Sequence, residues 1–254
     1  MNRLHTKPLL LLLTLLLLAA GSLSAQRRER PYVIFKTPTG PKKVECKAIA
    51  AAPDGRITVL TDTARNVYGR ANYIVAVIPR PDELDAFADL LDDEKFNEIS
   101  RTAPALFDKY KFLGYADEIA RIHCEALMEL NRHDEARKVL EQAADCPRAD
   151  EFNLASIRLM LMVHDKKTAE VETQLAKLIQ REDDALTAFA YLMRGRICEA
   201  SGKQKEAVLQ YLKTFMSFED KRKVRRFRKA AKASALKLMK ELNDPLAASL
   251  EQMK

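Results

Sequence analysis

Two hydrophobic patterns divide the chain near residue 80. Between residues 31 and 79, short segments rich in valine, isoleucine and aromatic residues partly alternate with polar residues: PYVIFKT, KKVECKAIA, RITVLTD and NYIVAVIP. Segments of turn composition separate them: PTGP, AAPDG and NVYGR. Such alternation, interrupted by turn residues, predicts strands. We therefore expect residues 31–79 to form a small antiparallel β module of four or five strands, with an SH3-like barrel as one closure.

The pattern changes after Pro81. The stretch DELDAFADLLDDEKFNEI has helical periodicity, and its early acidic residues suit a helix N-terminus. Only helices are expected from there to the end, so the predicted fold class is α+β. Residues 82–116 are predicted to form N-terminal capping helices, in which Pro104 is expected to interrupt a long helix.

A repeat connects the next helices. Three segments align at offsets of 0, 7, 12 and 16 residues, with steps of 35 and then 36 residues between them. The aligned residues are Cys124, Asn131, Ala136 and Leu140, then Leu159, Lys166, Val171 and Leu175, then Gly195, Gly202, Ala207 and Tyr211. Offset 7 always falls in a polar turn, and the others are small or apolar. A fixed period of this length predicts a solenoid of paired helices over residues 117–220.

This pattern resembles the tetratricopeptide repeat family, and Gly195, Gly202, Ala207 and Tyr211 carry the resemblance. They match the family's small residue in the first helix of a pair, its turn glycine, and its small-then-aromatic pair in the second helix. The first unit has Cys124 and Asn131 at the two glycine positions, and the second lacks both glycines. The same residues have a packing reason, because closely crossing helices need a small residue at the crossing.

The resemblance implies a concave groove, lined by the first helices, that binds a protein or peptide partner. The polar first-helix residues expected to line it are Arg121, Glu125, Arg158, Arg194 and Arg196. The β module is either a second binding surface or an N-terminal cap.

The positive charge is concentrated in one block. Residues 26–220 carry 30 basic and 33 acidic residues, whereas residues 221–240 carry ten basic and no acidic ones. Residues 221–254 are predicted to be a basic C-terminal capping helix and tail. Its alternative role is to bind an anionic surface, such as lipid head groups or acidic glycans, through Arg222, Lys223, Arg225, Arg226, Arg228 and Lys229. The simpler interpretation is the solvated outer face of a terminal repeat.

The N-terminus predicts export. Arg3 and Lys7 precede an apolar run from Leu9 to Ala20, and small residues follow, which is the layout of a cleaved signal peptide over residues 1–25. The expected location is therefore the periplasm or the extracellular space. Because the chain is expected to be exported, nucleic acid is not an expected partner of the basic block.

Motifs for catalysis are absent from the sequence. It contains no GxSxG, HExxH or P-loop segment, and its four cysteines form no CxxC pair. His133 and His164 fall in repeat turns and are expected to be solvated. We therefore expect a non-enzymatic protein without a cofactor or metal site, which acts as a scaffold or adaptor in the cell envelope.

Overall fold

The structure, a computed structural model, describes residues 30–147 and 150–253, apart from the side chains of Glu151 and Arg222. The predicted signal peptide, residues 1–25, lies outside the described residues. The chain divides into two compact units, one up to Arg80 and one from Pro81 onward. The first is a β unit and the second is helical, which confirms the predicted α+β class.

The β unit contains two antiparallel sheets of three strands each. Their orders are β2-β1-β6 and β3-β4-β5. The strands are β1 (Tyr32–Thr37), β2 (Gly40–Glu45), β3 (Ala48–Ala51), β4 (Ile57–Leu60), β5 (Arg65–Tyr68) and β6 (Tyr73–Val77), with a short 3-10 helix at Arg70–Asn72. The sequence predicted four or five strands, and two local features account for the difference.

The first feature is a change of sheet at Cys46 and Lys47. The N–H of Cys46 donates to the Pro31 carbonyl beside β1, whereas the N–H of Lys47 donates to the Leu60 carbonyl at the end of β4. The predicted strand KKVECKAIA is therefore two strands, β2 and β3. The second feature is the segment NVYGR, for which the turn prediction was wrong, because Arg65–Tyr68 pairs with β4 as strand β5.

One small core fills the β unit. Residues from both sheets contribute to it: Val33, Cys46, Ile57, Val59, Tyr73 and Ala76. Tyr73 is completely buried, and its hydroxyl donates a 2.7 Å hydrogen bond to the Gly55 carbonyl. This bond satisfies the polar end of an otherwise apolar side chain.

The helical unit contains ten α-helices among its described residues. They are α1 (Asp82–Asp92), α2 (Phe96–Tyr110), α3 (Ala116–Glu129), α4 (His133–Ala144), α5 (Glu151–His164), α6 (Thr168–Ile179), α7 (Asp184–Ala200), α8 (Gln204–Met216), α9 (Arg222–Glu241) and α10 (Ala247–Gln252). Each helix packs on the next one along the chain, and α3, α5, α7 and α9 also pack on one another in that order. We group the helices as five pairs, α1–α2 to α9–α10, each joined by a short turn. We call α1, α3, α5, α7 and α9 the first helices.

Helix α2 is continuous through Pro104, so the expected interruption was wrong. A proline inside a helix removes one backbone hydrogen bond and costs about 3 kcal/mol. Ile99 and Ala103 on one side of Pro104 and Tyr110 on the other are all buried. Their packing holds the helix together across the proline.

All five pairs share one turn geometry. The residue that ends each turn is left-handed, with φ between 54° and 72°: Glu94, Asn131, Lys166, Gly202 and Asn243. The next N–H in each turn donates to a carbonyl five residues earlier, over 2.7–2.9 Å: Lys95 to Leu90, Arg132 to Leu127, Lys167 to Met162, Lys203 to Cys198 and Asp244 to Met239. These bonds cap the C-terminus of each first helix.

Replacing Lys166 by glycine should stabilise the protein. A non-glycine residue in the left-handed region costs roughly 1–2 kcal/mol, part of which glycine loses again through its greater freedom in the unfolded chain. We expect a net gain of about 0.5–1 kcal/mol in the free energy of unfolding. Urea unfolding followed by circular dichroism measures it. Gly202→Ala is the matched control and should lose a similar amount; a loss in both variants would contradict the prediction.

The crossing between α7 and α8 confirms why the sequence has glycine at position 195. A Cβ atom built on Gly195 would lie 2.3 Å from Cε1 of Tyr211, so the Tyr211 ring packs directly on the glycine. At the same position of the pair α3–α4, the buried Cys124 donates from Sγ to the Ala136 carbonyl over 3.3 Å. Burial raises the pKa of the Cys124 thiol to about 12, so it behaves as a small apolar group.

Candidate binding pocket

One pocket lies against all five first helices. Its volume is about 310 Å³. Helix α7 contributes Phe189 and Met193, α5 contributes Met160, and α9 contributes Phe227. The Phe189 and Phe227 rings meet at an angle of 61°, with centroids 5.6 Å apart. The pocket therefore has an apolar wall built from three helices that are far apart in sequence.

Glu125 is the ionic centre of the pocket. Its Oε1 accepts a hydrogen bond from Nη1 of Arg121 over 2.7 Å, one turn earlier on α3. The same oxygen accepts from Nη1 of Arg226 on α9 over 3.1 Å. Burial raises the pKa of the Glu125 carboxyl, and the charges of Arg121 and Arg196 offset part of that rise. One carboxylate thus joins two helices whose paired residues are 101 positions apart.

Two weaker ionic contacts lie around this centre. Arg196 on α7 is 3.9 Å from Glu129 on α3, which is too long for a hydrogen bond. Lys229 on α9 is 3.5 Å from Glu94 and donates a hydrogen bond to the Asp92 carbonyl at the end of α1. Helix α9 therefore has ionic contacts to the first pair as well as to α3.

The structure brings together three of the five residues predicted to bind a partner. Glu125 and Arg196 line the pocket, and Arg121 pairs with Glu125. Arg158 is exposed on α5. Arg194 lies two residues before Arg196 on α7 but pairs with Glu172 of α6 over 3.0 Å. Met193 and Arg196 face the pocket, whereas Arg194 faces the second helix of the preceding pair.

The basic block has acidic partners that the sequence did not reveal. Arg225 and Arg228 both contact Asp220, at 3.1 and 3.6 Å. Arg228 also donates to the Phe215 carbonyl over 2.9 Å. Arg226 and Lys229 face the pocket, Lys223 is exposed, and the side chain of Arg222 is outside the described residues. The side chains predicted to bind an anionic surface therefore do not form one face, because some point into the pocket and others point to solvent.

Sequence reasoning missed the apolar lining of the pocket. Phe189, Phe227 and Met193 were indistinguishable from ordinary core residues, since all three are buried. It also missed a contact between two histidines. The rings of His133 and His164 stack with centroids 3.6 Å apart and an interplanar angle of 12°, so these residues pack together although His164 is exposed.

The described residues contain neither a cluster of metal ligands nor a membrane-spanning helix. No group of three or more histidine, cysteine or acidic side chains there could hold a metal ion. The four cysteines, all within that part of the chain, are free thiols. None of the helices described is long and apolar enough to cross a membrane. Comparison with protein-family models, curated proteins and solved structures finds no match for this chain.

Proposed function

We propose that the chain is an exported, non-enzymatic adaptor of the tetratricopeptide type that binds a protein or peptide partner in the cell envelope. The observation that carries this proposal is the pocket against all five first helices, at which Glu125 and Arg196 meet. A set of first helices that converge on one face can present a common binding surface to a partner. Arg158, which is exposed on the first helix α5, is available to contact a partner outside the pocket.

The finer fold proposed with this function is a solenoid preceded by an SH3-like barrel. The left-handed residue and the capping hydrogen bond that all five turns share support the solenoid, because they recur in each helix pair from Asp82 to Gln252. The barrel is supported by the change of sheet at Cys46 and Lys47, which connects β2 of one sheet directly to β3 of the other. A 3-10 helix before the last strand completes that arrangement.

A binding role is favoured over catalysis by the way the pocket charges are used. Glu125, the most enclosed carboxylate of the ion pairs there, is shared by Arg121 and Arg226. A general base or nucleophile needs a lone pair that is available to the substrate. The Glu125 oxygen that could act on a substrate instead accepts hydrogen bonds from two guanidinium groups.

The alternative function is binding to an anionic surface through the basic helix. Lys223 favours it, because it is exposed on α9, and Arg225 is exposed there as well. Arg225, Arg226, Arg228 and Lys229 contribute less to such a surface than the sequence suggested, since each has an oxygen partner within the chain. The alternative therefore rests on a smaller patch.

In-cell cross-linking of the tagged chain tests both functions. The groove variant combines Arg158→Glu with Arg196→Gln, and the helix variant combines Lys223→Gln with Arg225→Gln. We expect mass spectrometry to find one protein enriched by the wild type and by the helix variant, and lost from the groove variant. Lipid or glycan enrichment that disappears only in the helix variant would support the alternative. Equal enrichment by all three chains would contradict both.

A further inference from the structure

The size of the pocket limits what can enter it. Its volume of about 310 Å³ is at the lower end for small-molecule sites. A helix with its side chains is about 10–12 Å across, and a folded protein surface is larger still. The space therefore suits a small molecule, whatever partner binds at the rim.

The apolar wall is the part of the pocket that would contact most of the surface of a small ligand. Phe189 and Phe227 contribute their rings, and Met160 and Met193 contribute flexible thioethers, which adapt to ligands of different shape. Packing an apolar ligand on this wall would stabilise the complex, because apolar surface leaves water. The wall alone does not select between apolar ligands.

The enclosed charges provide the selection. Arg196, Arg226 and Glu125 have side chains less than a third exposed, and Arg121 is still more buried. Glu129, Glu94 and Lys229 are at least half exposed, so water screens their charges. Asp92, at the α1 end of the pocket, is exposed as well. The enclosed groups are thus three arginines against Glu125, which leaves two positive charges.

Two of these arginines can accept a new partner. A guanidinium group has five N–H donors, and Arg226 uses one of them on Glu125. If a ligand drew Arg226 away, Glu125 would keep its shorter hydrogen bond to Arg121. The Arg196 contact with Glu129 is too long to be a hydrogen bond. A carboxylate is the group whose two oxygens match such donors.

We propose that the pocket binds a small monocarboxylic acid with an apolar body. The body packs on Phe189 and Phe227, and the carboxylate lies between Arg196 and Arg226. This site goes beyond the proposed adaptor function and does not depend on the identity of the protein partner.

Calorimetric titration of the full mature chain with 4-phenylbutyrate tests the proposal. Its primary amide, 4-phenylbutanamide, has the same body without the charge. We expect the acid to bind with a dissociation constant of about 1 mM or tighter, and the amide to bind about tenfold more weakly or worse. Arg196→Gln and Arg226→Gln should each weaken binding of the acid about tenfold.

Arg194→Gln is the matched control, because it removes the same charge from α7 on the side that contacts Glu172. It should leave binding of the acid unchanged. Thermal unfolding of each variant shows whether it is folded, and Arg196→Gln remains informative if Arg226→Gln unfolds, since the Arg196 contact with Glu129, at 3.9 Å, is too long for a hydrogen bond.

Three results would overturn the proposal. The first is that neither compound binds, and the second is that the acid and the amide bind equally. The third is that the dipeptide N-acetyl-Leu-Phe binds with its free carboxylate while 4-phenylbutyrate does not, because the occupant would then be a peptide end. None of these results changes the cross-linking outcome, so failure of this proposal is distinct from failure of the adaptor function.

Discussion

Gly195→Ala is expected to lower the free energy of unfolding by about 2–3 kcal/mol, the upper part of the range for overpacked cores. The new Cβ atom would lie 2.3 Å from Cε1 and 2.4 Å from Cδ1 of Tyr211. Carbon atoms in contact are normally separated by about 3.5–4.0 Å. Alanine is the better helix former by about 1 kcal/mol, so the estimate is already the net of a larger steric cost.

Burial and a hydrogen bond both hold the Tyr211 ring in place. It is completely buried between α7 and its neighbours. Its hydroxyl donates a 2.7 Å hydrogen bond to the Glu199 carboxylate. Burial, together with that carboxylate, raises the pKa of Tyr211, so the hydroxyl remains a donor. A shift of the ring that relieved the clash would therefore stretch this bond or open the crossing between α7 and α8.

Urea unfolding of Gly195→Ala measures the loss, and a second change in the same crossing tests its cause. The other two aligned pairs have a larger residue than glycine at this position, Cys124 or Leu159, and leucine rather than tyrosine opposite it, Leu140 or Leu175. Tyr211→Leu should therefore recover much of the loss when combined with Gly195→Ala. If the double variant is no more stable than Gly195→Ala alone, the steric explanation is wrong.

The turn geometry was predictable at three of the five pairs, because each of these turns depends on one left-handed residue. The alignment placed Asn131, Lys166 and Gly202 at equivalent positions, and all three are left-handed in the structure. The same turn at Glu94 and Asn243 was missed. In the first pair, the positions equivalent to Gly195 and Ala207 are Phe87 and Ile99. The small residues that identify a repeat are absent there, although the backbone is the same.

The pocket could be predicted only in part, because its charges meet through tertiary structure. Arg121 and Glu125 are one helical turn apart, so their pairing follows from the sequence. The contact of Glu125 with Arg226 joins residues 101 positions apart. For the same reason the basic block looked unpaired, since Glu125 and Glu94, which neutralise Arg226 and Lys229, come from distant helices. Local composition carries no information about such partners.

The prediction for Arg194 was wrong because it ignored which way each side chain points around the helix. Arg194 and Arg196 were predicted to lie in one groove, but residues two apart on a helix do not face the same way. Arg194 contacts α6 and Arg196 lines the pocket. Only the orientation of α7 within its pair decides which of the two is inward, and that orientation depends on the crossing at Gly195 and Tyr211.

Glu125→Ala is expected to lower the free energy of unfolding by about 2–4 kcal/mol, somewhat less than for a fully buried ion pair. The Arg121 and Glu125 side chains are 9% and 17% exposed, so little water is available to replace the pairing. Removing the carboxylate leaves two guanidinium groups close together, one of them almost fully buried. Arg226→Ala should cost only about 1 kcal/mol, because the Arg121–Glu125 pair survives it.

Urea unfolding of Glu125→Ala, of Arg226→Ala and of the variant that combines both changes measures these losses in the free energy of unfolding. Arg121→Met with Glu125→Met is the decisive companion, since replacing a buried pair by apolar side chains of similar size is often nearly neutral. We expect this methionine pair to be about as stable as the wild type and clearly more stable than Glu125→Ala. Equal losses in Glu125→Ala and Arg226→Ala would mean that Arg226, rather than Arg121, is the partner that the carboxylate needs. The contact between α3 and α9 would then be the main stabilising interaction of Glu125.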